Sequence, residues 1–287
     1  MTERPVRTTR LATLLAALTL LSITSGADAT AQDPPIEPHR IIGTIYYVGA
    51  QFGSYLITTS EGHILHDTGD LAMHERIVDN IEALGFDVRD VRIMISSHAH
   101  WDHVEGHAAM KRATGAQVVA LGGDAEALAS GVDNSALGAR GWEPVVVDRV
   151  IQDGETVTLG GVTLQATWTG GHTQGATLWT TSVEVEGADY TVAFRGGEIP
   201  NAGVALVDNP RHPSVVEDTR RTLRVLNAME PPDLFLHNHA RPAPATLDPT
   251  LPVNPACVTC YDSAGWVDYM TRVTAGFERM LREAGIG

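Results

Sequence analysis

Ser96 to His107 reads S-S-H-A-H-W-D-H-V-E-G-H, and from His98 onward four histidines and two carboxylates fall within ten residues. Such a density of nitrogen and oxygen donors is metal-ligand chemistry. The stretch follows Val91 to Ser96 (V-R-I-M-I-S), an apolar, β-branched run of strand length, so the donors sit where a buried strand runs out into a loop. In an extended chain, side chains two apart share a face, so His98 and His100 can close on one ion from the same side. Asp102 and His103, at the turn that follows, can face a second ion a few ångströms away. Donors of this kind without thiolate suit zinc best, with iron or manganese as alternatives.

The N-terminus reads as a secretory signal peptide. Arg4, Arg7 and Arg10 precede an apolar run from Leu11 to Ile23 that is too short to span a bilayer, and Ala27, Ala29 and Ala31 offer small-residue cleavage sites. Cleavage is expected after Ala29 or Ala31, which makes residues 1–31 a leader, 32–40 a short tail with Pro34, Pro35 and Pro38, and 41–287 the folded domain. The mature chain would be periplasmic or secreted, with no membrane attachment after cleavage. About 255 residues remain, enough for one large layered domain. The full chain carries a formal charge of −15, which grows one unit more negative when three arginines and two acids leave with the leader. That balance argues against nucleic acid and anionic membrane as partners.

The rest of the chain alternates strand and helix signals. Ile41–Val48, Ser54–Thr59 and His63–His66 read as a meander, with His63 and His66 structural. Leu71–Leu84 has a helical stripe at Ile77, Ile81 and Leu84, and Glu105–Thr114 reads as the helix after the histidine loop. Strands are expected at Val118–Leu121, Val145–Val147, Thr156–Leu159, Val162–Trp168, Thr177–Val185, Tyr190–Phe194 and Leu234–Leu236. Ser214–Met229 has a capping-box start, Ser214 with Glu217. The proline-rich stretch Arg241–Pro255 is expected to wrap the surface near the site. A closing helix, Ala264–Glu283, carries an apolar stripe at Trp266, Met270, Val273, Phe277 and Leu281. Cys257 and Cys260 are the two cysteines. In an exported chain they most simply form a local disulfide, whereas a zinc site would need two more ligands and a thioredoxin-like motif a βαβ setting.

H-x-H-x-D-H after a buried strand resembles the signature of the metallo-β-lactamase superfamily. Flanking text is similar to its class B β-lactamases of the third subclass in four ordered blocks: YYVGAQFGSYLITTSEGHILHDTGD, HAHWDHVEGHAAMKRATGAQVVA, DGETVTLGGVTLQATWTGGHTQGATLW and LVDNPRHPSVVEDTRRTLRVL. The resemblance implies a four-layered αβ/βα sandwich, two mixed β-sheets flanked by helices. It implies two zinc ions, one held by His98, His100 and His172, the other by Asp102, His103 and His239, with His237 as the alternative last ligand. Asp67 would hold a ligand by hydrogen bond. The implied activity is hydrolysis of the β-lactam amide through a metal-bound hydroxide oriented by Asp102, conferring antibiotic resistance. A zinc hydrolase of the same fold acting on another small ester, lactone or amide is the alternative.

The segment F-R-G-G-E-I-P-N-A-G, from Phe194 to Gly203, departs from the family. Many superfamily hydrolases carry a bridging Asp there, whose absence argues against a glyoxalase II or lactone hydrolase site, and the third subclass commonly presents serines that hold the substrate carboxylate. Here stand Gly196, Gly197 and Glu198. Arg195 is the cation that could replace the serines, Glu198 a conceivable extra ligand, and Trp101 a residue that either lines the groove or packs behind it.

Overall fold

Strand β1 (His39–Ile42) turns back at Gly43, a glycine with φ of +49°, into β2 (Ile45–Tyr47), and the two pair antiparallel. The expected single strand Ile41–Val48 is therefore a hairpin, because a left-handed residue interrupts the extended run. In the computed structural model, which describes Met1 and residues 36–239 and 247–286, β3 (Tyr55–Thr59) and β4 (Gly62–His66) continue the antiparallel meander. The leader expected over residues 1–31 falls outside the described residues. Among the described residues, no helix is long and apolar enough to cross a membrane.

From β4 the pairing becomes parallel. Helix α1 (Met73–Ala83) leads to β5 (Val91–Ile95), helices α2 (Trp101–Val104) and α3 (His107–Thr114) lead to β6 (Gln117–Leu121), and α4 (Gly122–Ser130) precedes β7 (Arg149–Ile151). The seven strands lie in sequence order in one sheet. Two expectations need correction here. The helix placed at Glu105–Thr114 is broken before His107, since the chain passes so close to the turn at Thr68 that a Cβ on Gly106 would lie 2.7 Å from the Thr68 carbonyl oxygen. Val145–Val147 is not a strand; pairing with β6 begins at Arg149, after the Asp148 carboxylate has accepted the Val118 N–H.

The second sheet has the order β13-β12-β11-β10-β9-β8, built from β8 (Thr156–Leu159), β9 (Val162–Trp168), β10 (Thr177–Val185), β11 (Ala188–Phe194), β12 (Leu234–Leu236) and β13 (Cys260–Tyr261). Pairs β8 to β11 are antiparallel, β11 with β12 is parallel, and β12 with β13 antiparallel. Helix α5 (Val215–Ala228) joins β11 to β12, and α6 (Ser263–Glu283) closes the chain. Ser214 does not form the expected capping box. Its hydroxyl donates instead to the Asp218 carboxylate at 2.6 Å. Asp262 caps α6 by accepting the Gly265 N–H.

Three apolar clusters separate four layers. Tyr55, Ile64, Ile95, Trp179, Phe194 and Leu236 lie between the sheets; Ile77, Met94, Met110 and Leu128 join the first sheet to its helices; Leu223, Leu226, Phe235, Trp266 and Phe277 join the second sheet to α5 and α6. The fold is thus the expected αβ/βα sandwich. Cys257 and Cys260 form a disulfide with Cα atoms 5.6 Å apart. Residues 240–246, part of the proline-rich stretch, lie outside the described residues; beyond them Leu247 and Val253 pack against the inter-sheet cluster.

Candidate metal centre

At one end of the strands, loops from both sheets bring the histidines together. Strand β5 of the first sheet precedes His98 and strand β12 of the second precedes His237 and His239, and the two loops meet where Asn238 Nδ2 donates to the Ser97 hydroxyl at 3.4 Å. Ligand atoms of His98, His100 and His172 lie within 4.8 Å of one another and could hold one ion, and those of Asp102, His103 and His239 form an equivalent set. The rings of His98 and His103 are 4.1 Å apart at their centroids, so the sets adjoin. His239 enters the second set, and His237 does not. His237 is buried against the rings of Phe235, Tyr261 and Tyr269, and its Nδ1 accepts the N–H of His239 at 3.0 Å.

The rings of His98, His100, His103 and His172 are aimed by hydrogen bonds on their other nitrogens. Nδ1 of His98 donates to the Gly196 carbonyl at 2.8 Å, Nδ1 of His172 to the Ile199 carbonyl at 2.7 Å, and Nδ1 of His103 to Asp67 Oδ2 at 2.9 Å. His100 is held from the opposite side, its Nε2 being 3.0 Å from the Ser135 hydroxyl. Those bonds leave Nε2 of His98, His103 and His172, and Nδ1 of His100, for an ion. Nε2 of His103 is buried without a hydrogen-bond partner among the described residues, and it faces Asp102 Oδ2 at 3.5 Å. Leaving a buried ring nitrogen unmatched costs free energy unless something binds it. Three imidazoles in one set and Asp-His-His in the other, with no thiolate, fit zinc chemistry.

The electrostatics favour neutral donors. Burial and the neighbouring imidazoles hold His98 and His172 well below the usual histidine range, and burial holds His100 down at about 3. Asp67 adopts φ of +59° and accepts from the Ser97 N–H and hydroxyl as well as from His103; although burial opposes ionisation, the adjacent His66 and His103 rings and these hydrogen bonds keep its carboxyl below the usual range.

The remaining sequence candidates separate. His66 stacks on Phe194 with Tyr55 tilted against it, His107 is paired to Thr68 Oγ1 at 2.7 Å, and neither belongs to a donor set. Trp101 makes an edge-to-face contact with Phe52, and the Arg140 guanidinium lies over its ring, 4.0 Å from the centroid. Arg195 donates Nε to Glu198 and Nη1 to Asn238, and its side chain keeps 19% exposure. Glu198 is buried and joins neither donor set, so it is no additional ligand in this arrangement. The glycines of the departing segment have steric reasons. A Cβ on Gly196 would lie 2.6 Å from backbone of Thr177, and one on Gly197 2.8 Å from the His172 ring.

Sequence reasoning missed Phe52, Asp124 and Ser135. Phe52 bridges its backbone to His239 and sets its ring against those of His103 and His239. A loop phenylalanine, a helix-start aspartate and a loop serine carry no local signal of these contacts.

A family model for the metallo-β-lactamase superfamily matches residues 54–239, which takes in both donor sets. The chain belongs to the metallo-β-lactamase superfamily. Among solved structures, this superfamily member is similar to the FEZ-1 metallo-β-lactamase of Legionella gormanii, at 32% identity and a TM-score of 0.78, over 88% of this chain and 98% of that one. BJP-1, a subclass B3 metallo-β-lactamase of Bradyrhizobium japonicum, matches at 32% identity and a TM-score of 0.76, over 88% and 96%. A curated relative, the hydroxyacylglutathione hydrolase of Rhodospirillum rubrum, is 26% identical over 106 residues, 37% of this chain. That match spans 34% of the relative's length.

Proposed function

We propose that the chain is a zinc-dependent β-lactamase that hydrolyses the ring amide of β-lactam antibiotics outside the cytoplasm, periplasmic or secreted, and so confers resistance. The observation that carries this reading is the pair of adjoining donor sets, His98/His100/His172 and Asp102/His103/His239. The whole-chain similarity to FEZ-1 and BJP-1 supports the β-lactam as substrate.

Zinc held by the two sets would supply a nucleophile at neutral pH and Lewis acidity toward the scissile carbonyl. The chain's own residues do the rest. Asp102, whose Oδ2 lies 3.5 Å from His103 Nε2 and 3.6 Å from His239 Nε2, accepts a hydrogen bond from the attacking water and orients it. The water oxygen bonds to the carbonyl carbon, the C–N bond of the ring breaks, and the water's proton ends on the ring nitrogen. Arg195, whose charge is felt at His98 and His172, attracts the substrate carboxylate, in part neutralised by Glu198. Phe52 and Trp101 supply an aromatic wall beside the second set.

The test is hydrolysis of a penicillin and a carbapenem by the purified chain with zinc and then with a chelator. Chelator-sensitive ring opening is the expected result. The partial match to a hydroxyacylglutathione hydrolase favours a second reading, a zinc hydrolase of another small ester, lactone or amide. Zinc-dependent turnover of a thioester or lactone with intact β-lactams would replace the first reading by the second.

A further inference from the structure

Residues 195–199, where the chain leaves β11, form a strap across the first donor set. The Gly196 carbonyl takes the Nδ1 proton of His98 and the Ile199 carbonyl that of His172, so two of three rings in that set are aimed by one short segment. Between these carbonyls, Gly197 lies against the His172 ring with no room for a Cβ. A backbone bond from the Arg195 N–H to the Leu236 carbonyl ties down the start of the strap.

Its far part is tied by a side chain. Glu198, 1% exposed, turns its carboxylate into the protein, where Oε2 accepts from Arg195 Nε at 3.1 Å and from the Tyr269 hydroxyl at 2.5 Å. Tyr269 belongs to α6, so the strap is pinned to the outer helix layer. Arg195 extends the network to Asn238 Oδ1 at 2.8 Å, and Asn238 Nδ2 returns to the Gly196 carbonyl at 3.1 Å. The other Glu198 oxygen, Oε1, is buried without a hydrogen-bond partner among the described residues. A carboxylate so deeply desolvated is expensive, and breaking its pairing with Arg195 would leave an uncompensated charge.

We propose that Glu198 is a positioning residue for the first ion: through Arg195 and Tyr269 it locks the strap where the Gly196 and Ile199 carbonyls aim His98 and His172. This rests on the reading of the two sets as a zinc centre. A ring whose Nδ1 proton is held offers Nε2 in a fixed direction, and a loosened strap lets both rings turn. Partners of this kind typically change metal affinity 10- to 100-fold.

The experiment titrates zinc into the metal-free chain against a chromophoric chelator, resolving two steps, for the natural chain, Glu198→Gln and Tyr269→Phe. Histidine NMR follows the same samples. The ring signals of His98, His100 and His172 identify the first-set step, and their Nδ1 protons report the strap bonds. Glu198→Gln is expected to weaken that step roughly 10- to 100-fold, to speed exchange of the His98 and His172 Nδ1 protons, and to leave the other step unchanged. Tyr269→Phe, which removes one hydroxyl and no charge, should move the same readouts in the same direction and carries the test if Glu198→Gln fails to fold. Unchanged affinity with both protons retained would overturn the proposal, as would equal weakening of both steps with a lowered thermal midpoint. If the natural chain takes up no zinc, the zinc-centre reading itself falls, and this inference with it.

Discussion

Asp124 accepts a 2.7 Å hydrogen bond from the backbone N–H of Ala99, the residue between His98 and His100. The same carboxylate accepts from the Thr173 hydroxyl at 2.8 Å and the Gly175 N–H at 2.8 Å, immediately after His172. One buried side chain at the start of α4 therefore joins the loop after β5 to the loop after β9. Burial pushes its carboxyl up to about 6, against the pull of those three donors.

Asp124→Ala would leave two backbone N–H groups and a hydroxyl without an acceptor in the interior. The expected loss is about 3 kcal/mol or more, since each of the three unmet buried donors costs about 1–3 kcal/mol. Urea unfolding of the metal-free chain measures it, and a loss below the range expected for one donor would show that the two loops are held together by something else.

Asp102→Asn should keep the fold and lose at least about 100-fold in turnover, because the amide is a poorer acceptor for water and a poorer ligand. His107→Ala is the control. It removes a buried ring hydrogen-bonded to Thr68, so stability should fall by roughly 1–3 kcal/mol while zinc stoichiometry is retained. Circular dichroism, zinc analysis and initial rates on both variants decide the matter; loss of zinc in His107→Ala would mean that the donor sets are misassigned.

Acid should unfold the metal-free chain in a window set by its buried histidines. Desolvation holds His107 down at about 4, so it is neutral in the folded chain while the unfolded chain binds its proton near the ordinary value of 6.5. As pH falls below 6.5 the unfolded state takes up the proton first, so the stabilisation present above 6.5 is lost progressively down to about 4. Urea midpoints measured across that interval should fall with pH, and His107→Gln should flatten part of the slope.

Gly197→Ala should weaken zinc binding at the first donor set by roughly 10-fold or more. The new methyl would sit 2.8 Å from a His172 ring carbon, which forces either the ring or the strap to move. Competition titration against a chelator checks this, and an unchanged affinity would mean the strap yields without disturbing the ring.

The sequence by itself located most of the strands and helices and the histidine-rich loop, and its resemblance to the family implied the layered architecture. Alternating and helical periodicities locate β10, β12, α5 and α6 to within a few residues, and the i, i+2 spacing puts His98 and His100 on one face, while the placing of Asp102 with His103 at a second ion came with the family resemblance. His172 and His239 were nominated by resemblance, yet spacing left His237 open beside His239. Only the tertiary structure brings a ring nitrogen of His239, and not of His237, into one cluster with Asp102 and His103. It also decided that Glu198 turns inward to Arg195 and Tyr269, that Asp124 ties Ala99 to Gly175, and that Ser135 supports His100. These contacts join residues 25 to 71 positions apart in some cases and sit in irregular loops. Their geometry follows from how the two sheets pack and which strand ends face one edge, and no local propensity encodes that.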